Sequence, residues 1–293
     1  MTRINEEEDA AMLHHIDLQA LPEGCIANVI SLTSPPDACR LSVLSRVIRL
    51  AAESDAVWDK FLPPETHEIL SHSATASAAK SKKELYMALS HSPVLIDDGT
   101  MSFSLEKWTG KKCYMIAAKR LRIAWGDTPL YWQWITLPNT RFEEVAELQW
   151  VGWFEIRGRI ATRKLSPSTL YKAYLVYKFN AHSYGFDYSP VVVAVSTRPY
   201  GFDYECPSLR EIVDGGDLKH TAFLAHPERE MDEADDLLFP KETADGWLEM
   251  KLGEFFCEGG KDEELEMICC EIDISSKSGI IVQGIEIRPC DRN

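Results

Sequence analysis

LRIAWGDTPLYWQW, residues 121–134, sets Gly126-Asp127-Thr128-Pro129 between two stretches of alternating side chains. Leu121 and Ile123 alternate with Arg122 and Ala124, the period of two expected of a half-buried strand. Beyond the turn, Trp132 and Trp134 fall on one face, with Tyr131, Gln133 and Ile135 on the other. The stretch therefore reads as strand, turn, strand, and it commits this part of the chain to β-structure. Its tryptophans admit two readings. They fill the interior of a sandwich, or they present flat apolar faces beside polar turn atoms, an arrangement that suits the C–H face and hydroxyls of a sugar ring.

The same alternation continues outward. In YKAYLVYKF, Tyr171, Ala173, Leu175, Tyr177 and Phe179 oppose Lys172, Tyr174, Val176 and Lys178. In FEIRGRI, Phe154, Ile156 and Ile160 oppose Glu155, Arg157 and Arg159. About ten short strands from Cys113 to Arg288, with turn signals and no βαβ rhythm, indicate a two-sheet sandwich of jelly-roll type. Two further strands are expected at 94–96 and 101–105. The pattern lapses over about 199–241, where Gly215-Gly216 and an acidic run at 228–236 mark a long insertion.

Upstream of the strands the pattern is helical. Pro22 sits in the first turn of a helix striped by Cys25, Ile26, Val29 and Ile30. Ser34 or Asp37 caps a second stripe of Ala38, Leu41, Leu44, Val47 and Ile48. A third, with Val57, Trp58, Phe61 and Leu62, stops at Pro63-Pro64. Three helices this short bury too little surface to stand alone, so they pack on the following domain or on a partner. The fold class is α+β: an acidic disordered tail at 1–16, helices over 17–64, a small and polar linker at 65–82, and the β-domain over 83–293.

Composition removes several function classes. A net charge of −15 argues against a nucleic-acid or anionic-membrane surface. No apolar run approaches the ~20 residues of a membrane span, and MTRINEEEDAAMLHH lacks the apolar core of a secretory signal. The eight cysteines read as reduced thiols, and with no CxxC pair and no matching histidine cluster a zinc site is not expected. No cofactor is implied, and the expected place of action is the cytoplasm, the nucleus or both.

Two resemblances add to this. LPEGCIANVISLTSPPDACRLSVLSRVIRLAAESDAVWDKFLP (21–63) resembles an F-box, through Leu21-Pro22, the central Asp37–Leu41 and the closing Val57-Trp58. That family docks on the Skp-type adaptor of the SCF (Skp–cullin–F-box) ubiquitin ligase. By position, Leu21, Pro22, Ile26, Ile30, Cys39, Leu41, Leu44 and Trp58 would face the adaptor or support that face. Ile48 departs from the aromatic common there.

The second covers about 110–289 and resembles the phloem protein 2 (Nictaba-related) lectins. It is carried in order by AWGDTPLYWQW (124–134), EVAELQWVGWFEIRGRI (144–160), YLVYKF (174–179), DGWLEMKLGEFF (245–256) and SGIIVQGIEIRP (278–289). This implies binding of N-acetylglucosamine-containing glycans or N-glycoproteins, with Trp125 and Trp132 stacking and Glu264 hydrogen bonding. Trp134 stays open between site wall and core. The basic import run of the Nictaba-related lectins has no counterpart here, and the 199–241 insertion is a departure.

Together the resemblances imply a non-catalytic substrate receptor. Three alternatives stand beside it: a lectin whose helices are mere support, a β-domain that recognises protein, and a glycoside hydrolase using carboxylates such as Glu249, Glu254 or Glu264.

Overall fold

A computed structural model describes residues 21–71, 79–187, 190–199, 219–225, 238–271 and 275–290. The expected acidic tail, the middle of the expected linker and most of the 199–241 insertion lie outside the described residues.

The helical region starts with α1 (Glu23–Ser31), which buries Ile26, Ala27 and Ile30. The second apolar stripe is two helices, not one: α2 (Pro35–Leu41) and α3 (Arg46–Glu53). The break follows from serine chemistry. Ser42 Oγ donates back to the Cys39 carbonyl, and Ser45 restarts the helix by accepting from Ile48 N–H. Ser34 and Ser54 cap α2 and α4 (Asp55–Phe61) in the same way. At Asp37, hydrogen bonds from Ser34 and Arg40 hold the carboxyl below its ordinary range.

The segment expected as linker begins with a helical turn, α5 (Thr66–Ile69), whose Thr66 is buried together with the following Leu70. Helix α6 (Lys82–His91), capped by Ser81, inserts Tyr86 and Leu89 between the first helices and the strands.

The β-region comprises β1 (Val94–Ile96), β2 (Met101–Leu105), β3 (Lys112–Ala117), β4 (Arg122–Ile123), β5 (Trp132–Ile135), β6 (Val145–Leu148) and β7 (Glu155–Ala161). It continues with β8 (Thr169–Tyr184), β9 (Val191–Pro199), β10 (Lys219–Ala222), β11 (Lys241–Glu242), β12 (Leu248–Cys257), β13 (Glu263–Glu271) and β14 (Ser278–Pro289). One sheet runs β1-β2-β3-β14-β8-β12-β11, with β6 also on β14 and β5 on β6; the other runs β10-β9-β13-β7-β4. Every strand-to-strand ladder is antiparallel. Helices followed by a two-sheet sandwich match the expected class. Strands β10 and β11 are additions inside and beside the stretch where the alternation lapsed.

The core lies between the sheets, where Tyr171, Ala173, Leu175 and Tyr177 of β8 are all buried. It is continuous with the helices, since Ile26, Trp58 and Tyr86 belong to the same cluster as Phe103 and Ile285. Two polar contacts reinforce that seam. Lys112, buried on β3, pairs with Glu65, and Tyr86 OH reaches the Glu106 and Lys107 carbonyls. Within the helical part, Asp55 of α4 accepts from Lys82 N–H of α6 at 2.8 Å.

One face departs from the expected solvent-facing pattern. Arg157, which the alternation sends outward, is buried between Glu155 and the buried Glu266, and Arg159 Nε lies 3.0 Å from Glu266. Charges withdrawn from water need partners, and this set supplies both signs.

Candidate functional site

The 121–134 stretch folds into interlocked turns between β4 and β5. Ala124 N–H donates to Glu155 O at 2.9 Å, closing the ladder; Gly126 N–H then donates to Ile123 O, Thr128 N–H to Trp125 O and Tyr131 N–H to Thr128 O. At the bend Trp125 takes φ +61°, a left-handed conformation that costs a side-chain-bearing residue about 1–2 kcal/mol. The result is an indole that is 60% exposed.

Trp132 corrects the expectation that it stacks on a ligand. It is 2% exposed, its ring lies 6.4 Å from Phe154, and its Nε1–H donates to the Ala124 carbonyl at 3.1 Å. The alternation fixed that Trp132 and Trp134 share a face, and that face is the interior. Trp132 instead braces, from below, the peptide that precedes Trp125.

Trp134 is half-buried at the rim of the core, with Lys119 Nζ 5.8 Å from its ring centre. Lys119 in turn pairs with Glu144. Trp134 is a wall of the sandwich rather than an open plate.

Glu264 does not join Trp125. It sits opposite Ala161 of β7, whereas Ala124 is tied to Glu155 at the other end of that strand. Six residues at about 3.3 Å each separate them by roughly 20 Å. A single site holding Trp125 and Glu264 is therefore corrected by the strand register.

What does join Trp125 is Tyr131, from the same stretch of sequence, and through it Trp150, neither of them among the expected sugar-binding residues. The Tyr131 ring lies 6.1 Å from Trp125 and 6.3 Å from Trp150, with interplanar angles of 57° and 36°. Trp150 is 52% exposed and Tyr131 half-buried between the two. Gln149 N–H donates to Tyr131 O at 2.8 Å, and Val151 exchanges both backbone hydrogen bonds with Lys277, so the Trp150 segment is held on either side. The row lies on the surface, with both of its end indoles more than half exposed. Its signal was QWVGW, a tryptophan two residues past the end of β6 and two before Gly152.

The carboxylates considered for hydrolysis do not form a pair. Glu249 is held by Arg288 through two hydrogen bonds of 2.8 and 2.6 Å. Glu254 is held by Lys251, whose hydrogen bond keeps its carboxyl below the ordinary range. Both lie on β12, in the other sheet from Glu264.

The helical region carries a second candidate surface. Ile26, Ile30 and Trp58 are buried, with Trp58 Nε1–H donating to Ala52 O at 2.7 Å; they support the surface and do not line it. Cys39 and Leu41 are half-buried, Leu21 and Pro22 exposed, and Leu44 is 66% exposed. Val29, Leu32, Val43, Val47 and Leu50 are also exposed. Such a concentration of large apolar side chains in water within thirty residues is the mark of an interface.

Comparison with known proteins bears on both surfaces. Residues 111–289 match the family described as Phloem protein 2. Over 272 residues the chain is 46% identical to "F-box protein At2g02240" of Arabidopsis thaliana, covering 92% of this chain and 79% of that one. It is 46% identical over 276 residues to "Putative F-box protein PP2-B8" of the same plant, covering 93% and 88%. Against "F-box protein PP2-B10" the identity is 42% over 273 residues, covering 92% and 93%.

Proposed function

The chain belongs to the phloem protein 2 family, among its plant F-box proteins, and from that premise we propose that it is the substrate-recognition subunit of an SCF ubiquitin ligase whose β-sandwich, of jelly-roll type, takes glycans bearing N-acetylglucosamine. The helices hold the Skp-type adaptor, and through it the cullin. The open aromatic row holds the target. No bond is made or broken in this chain; tethering raises the effective concentration of the target's lysines near the ubiquitin-loaded enzyme.

The observation that carries the adaptor half is the apolar surface of α1–α3. Val29, Leu32, Val43, Leu44, Val47 and Leu50 stay in water while Ile26, Ile30 and Trp58 fill the interior beneath. Purified Skp-type adaptor is expected to capture the chain, and Leu44→Asp with Val47→Asp to abolish capture without shifting Tm. Failure of the unaltered chain to be captured overturns this half.

For the glycan half, Trp125→Ala is expected to abolish binding to chito-oligosaccharides. Affinity is expected to be modest, since a few stacked rings and wet hydrogen bonds leave little surplus over the cost of binding.

A second reading keeps the glycan site and makes the helices structural. It is favoured by the polar seam, where Lys112–Glu65 and the Tyr86 hydroxyl fasten helices to strands. Glycan binding without adaptor capture is its signature.

A further inference from the structure

We propose that Trp125, Tyr131 and Trp150 form one open-ended platform that grips an interior stretch of a single soluble glycan chain, with Trp150 setting the length of chain recognised. This rests on the glycan reading above and adds to it the residues and the shape of the ligand.

Three features of the row lead there. First, its ends are the two exposed indoles, and Tyr131 touches both, so the apolar surface is continuous over two centroid steps of 6.1 and 6.3 Å. One sugar ring covers one aromatic face, so a single sugar leaves most of this surface in water; a chain of three or more covers it. Second, both end indoles stand in water, Trp125 60% and Trp150 52% exposed. Among the described residues the row has both ends in water, and such a row accepts a segment that continues past both tryptophans. Third, successive planes turn by 57° and then 36°. A flat crystalline polysaccharide face lies parallel to only one such ring at a time, whereas a free chain twists to follow all three.

The supports are specific to this geometry. Trp132 Nε1 holds the Ala124 carbonyl at one end, and the Val151–Lys277 backbone pair holds the other. Lys277 is itself buried and paired with the buried Glu271. The platform is fixed before ligand arrives, which lowers the ordering cost of binding.

The test is calorimetric titration of the full chain with soluble chito-oligosaccharides from the disaccharide to the hexasaccharide, alongside depletion on crystalline chitin. Trp125→Ala is expected to lose every length. Trp150→Ala is expected to lose about tenfold on the tri- and longer saccharides and distinctly less on the disaccharide. Trp150→Phe, which keeps a ring, is expected to restore most of the loss. Tm measured on each variant separates lost contact from lost folding. An equal loss at every length, or none, overturns the role of Trp150. Tighter retention on crystalline chitin than on the soluble hexasaccharide overturns the single-chain reading. If the unaltered chain binds no saccharide at all, the glycan reading itself falls and this one with it.

Discussion

The ring of Tyr86 lies 5.3 Å from that of Trp58, tilted by 57°, at the junction of the helices and the sandwich. Trp58 fills the middle of the helical cluster, and the Tyr86 hydroxyl crosses to the carbonyls of Glu106 and Lys107 at 3.4 and 3.2 Å. Burial raises this phenol far above its ordinary value, so it remains a donor throughout the physiological range. Tyr86→Phe keeps the ring contact and is expected to cost about 1 kcal/mol. Tyr86→Ala removes both links, at about 3–5 kcal/mol, and is expected to split one calorimetric unfolding transition into two. A single sharp transition in Tyr86→Ala would mean that the two parts are coupled elsewhere.

Gly110 and Gly99 make a matched pair. Both have positive φ, +68° and +77°. A Cβ on Gly110 would lie 2.8 Å from the Phe61 carbonyl oxygen and 3.2 Å from the Tyr86 ring, while one on Gly99 meets nothing within 4 Å. Gly99→Ala is expected to cost about 1 kcal/mol of conformational strain, and Gly110→Ala at least twice that. Denaturant midpoints with unchanged slope check the difference.

Trp125 and Trp132 are expected to respond in opposite ways. Trp125→Ala removes an exposed ring and relieves nothing in the interior, so Tm stays within a degree or two while glycan binding is lost. Trp132→Ala empties a buried site at about 3–5 kcal/mol. Trp132→Phe retains much of the packing but drops the Nε1–H bond to Ala124, at about 1–2 kcal/mol. Thermal melts of the three, beside binding of the folded ones, read this directly; a Trp132→Phe protein with unaltered stability would remove the bracing role.

Part of this arrangement was legible in the sequence and part was not. Alternation in 171–179 located β8 because one side of that strand is uniformly apolar and buried. The same rule put Trp132 and Trp134 on one face without saying which way that face looks, since an indole suits a core and a binding surface equally. Arg157 shows the converse: a charge at an outward position is buried because Glu155 and Glu266, the latter more than a hundred residues later, are brought beside it. The Trp125–Tyr131–Trp150 contact depends on β5 pairing with β6, and no local pattern encodes which strands become neighbours. Glu264 fell away for the same reason, through register on β7.

The Lys112–Glu65 pair gives a pH dependence with a definite sign. Burial pushes the Glu65 carboxyl up, but the hydrogen bond from Lys112, a hydrogen bond from the residue's own backbone and the Lys112 charge together outweigh it and hold the carboxyl below its ordinary value. A carboxyl depressed in the folded state stabilises above the unfolded value, about 4.3, and that contribution is lost as pH falls through the lower folded value. Glu65→Gln leaves Lys112 buried without its counter-charge. It is expected to cost about 2 kcal/mol near neutrality, less than a fully enclosed pair because Glu65 is partly in water. In urea titrations the gap between the two proteins should narrow once pH drops below about 4; a gap independent of pH would locate the effect outside this pair.

Tyr86 has a consequence for reach. With its ring on the helical side and its hydroxyl on the strand side, it makes one lever of the two parts and fixes their relative bearing when the chain folds. A cargo held on the aromatic row would then be swung to one compass direction from the ligase, and the spacing between its glycan and its lysines would decide which of them is marked.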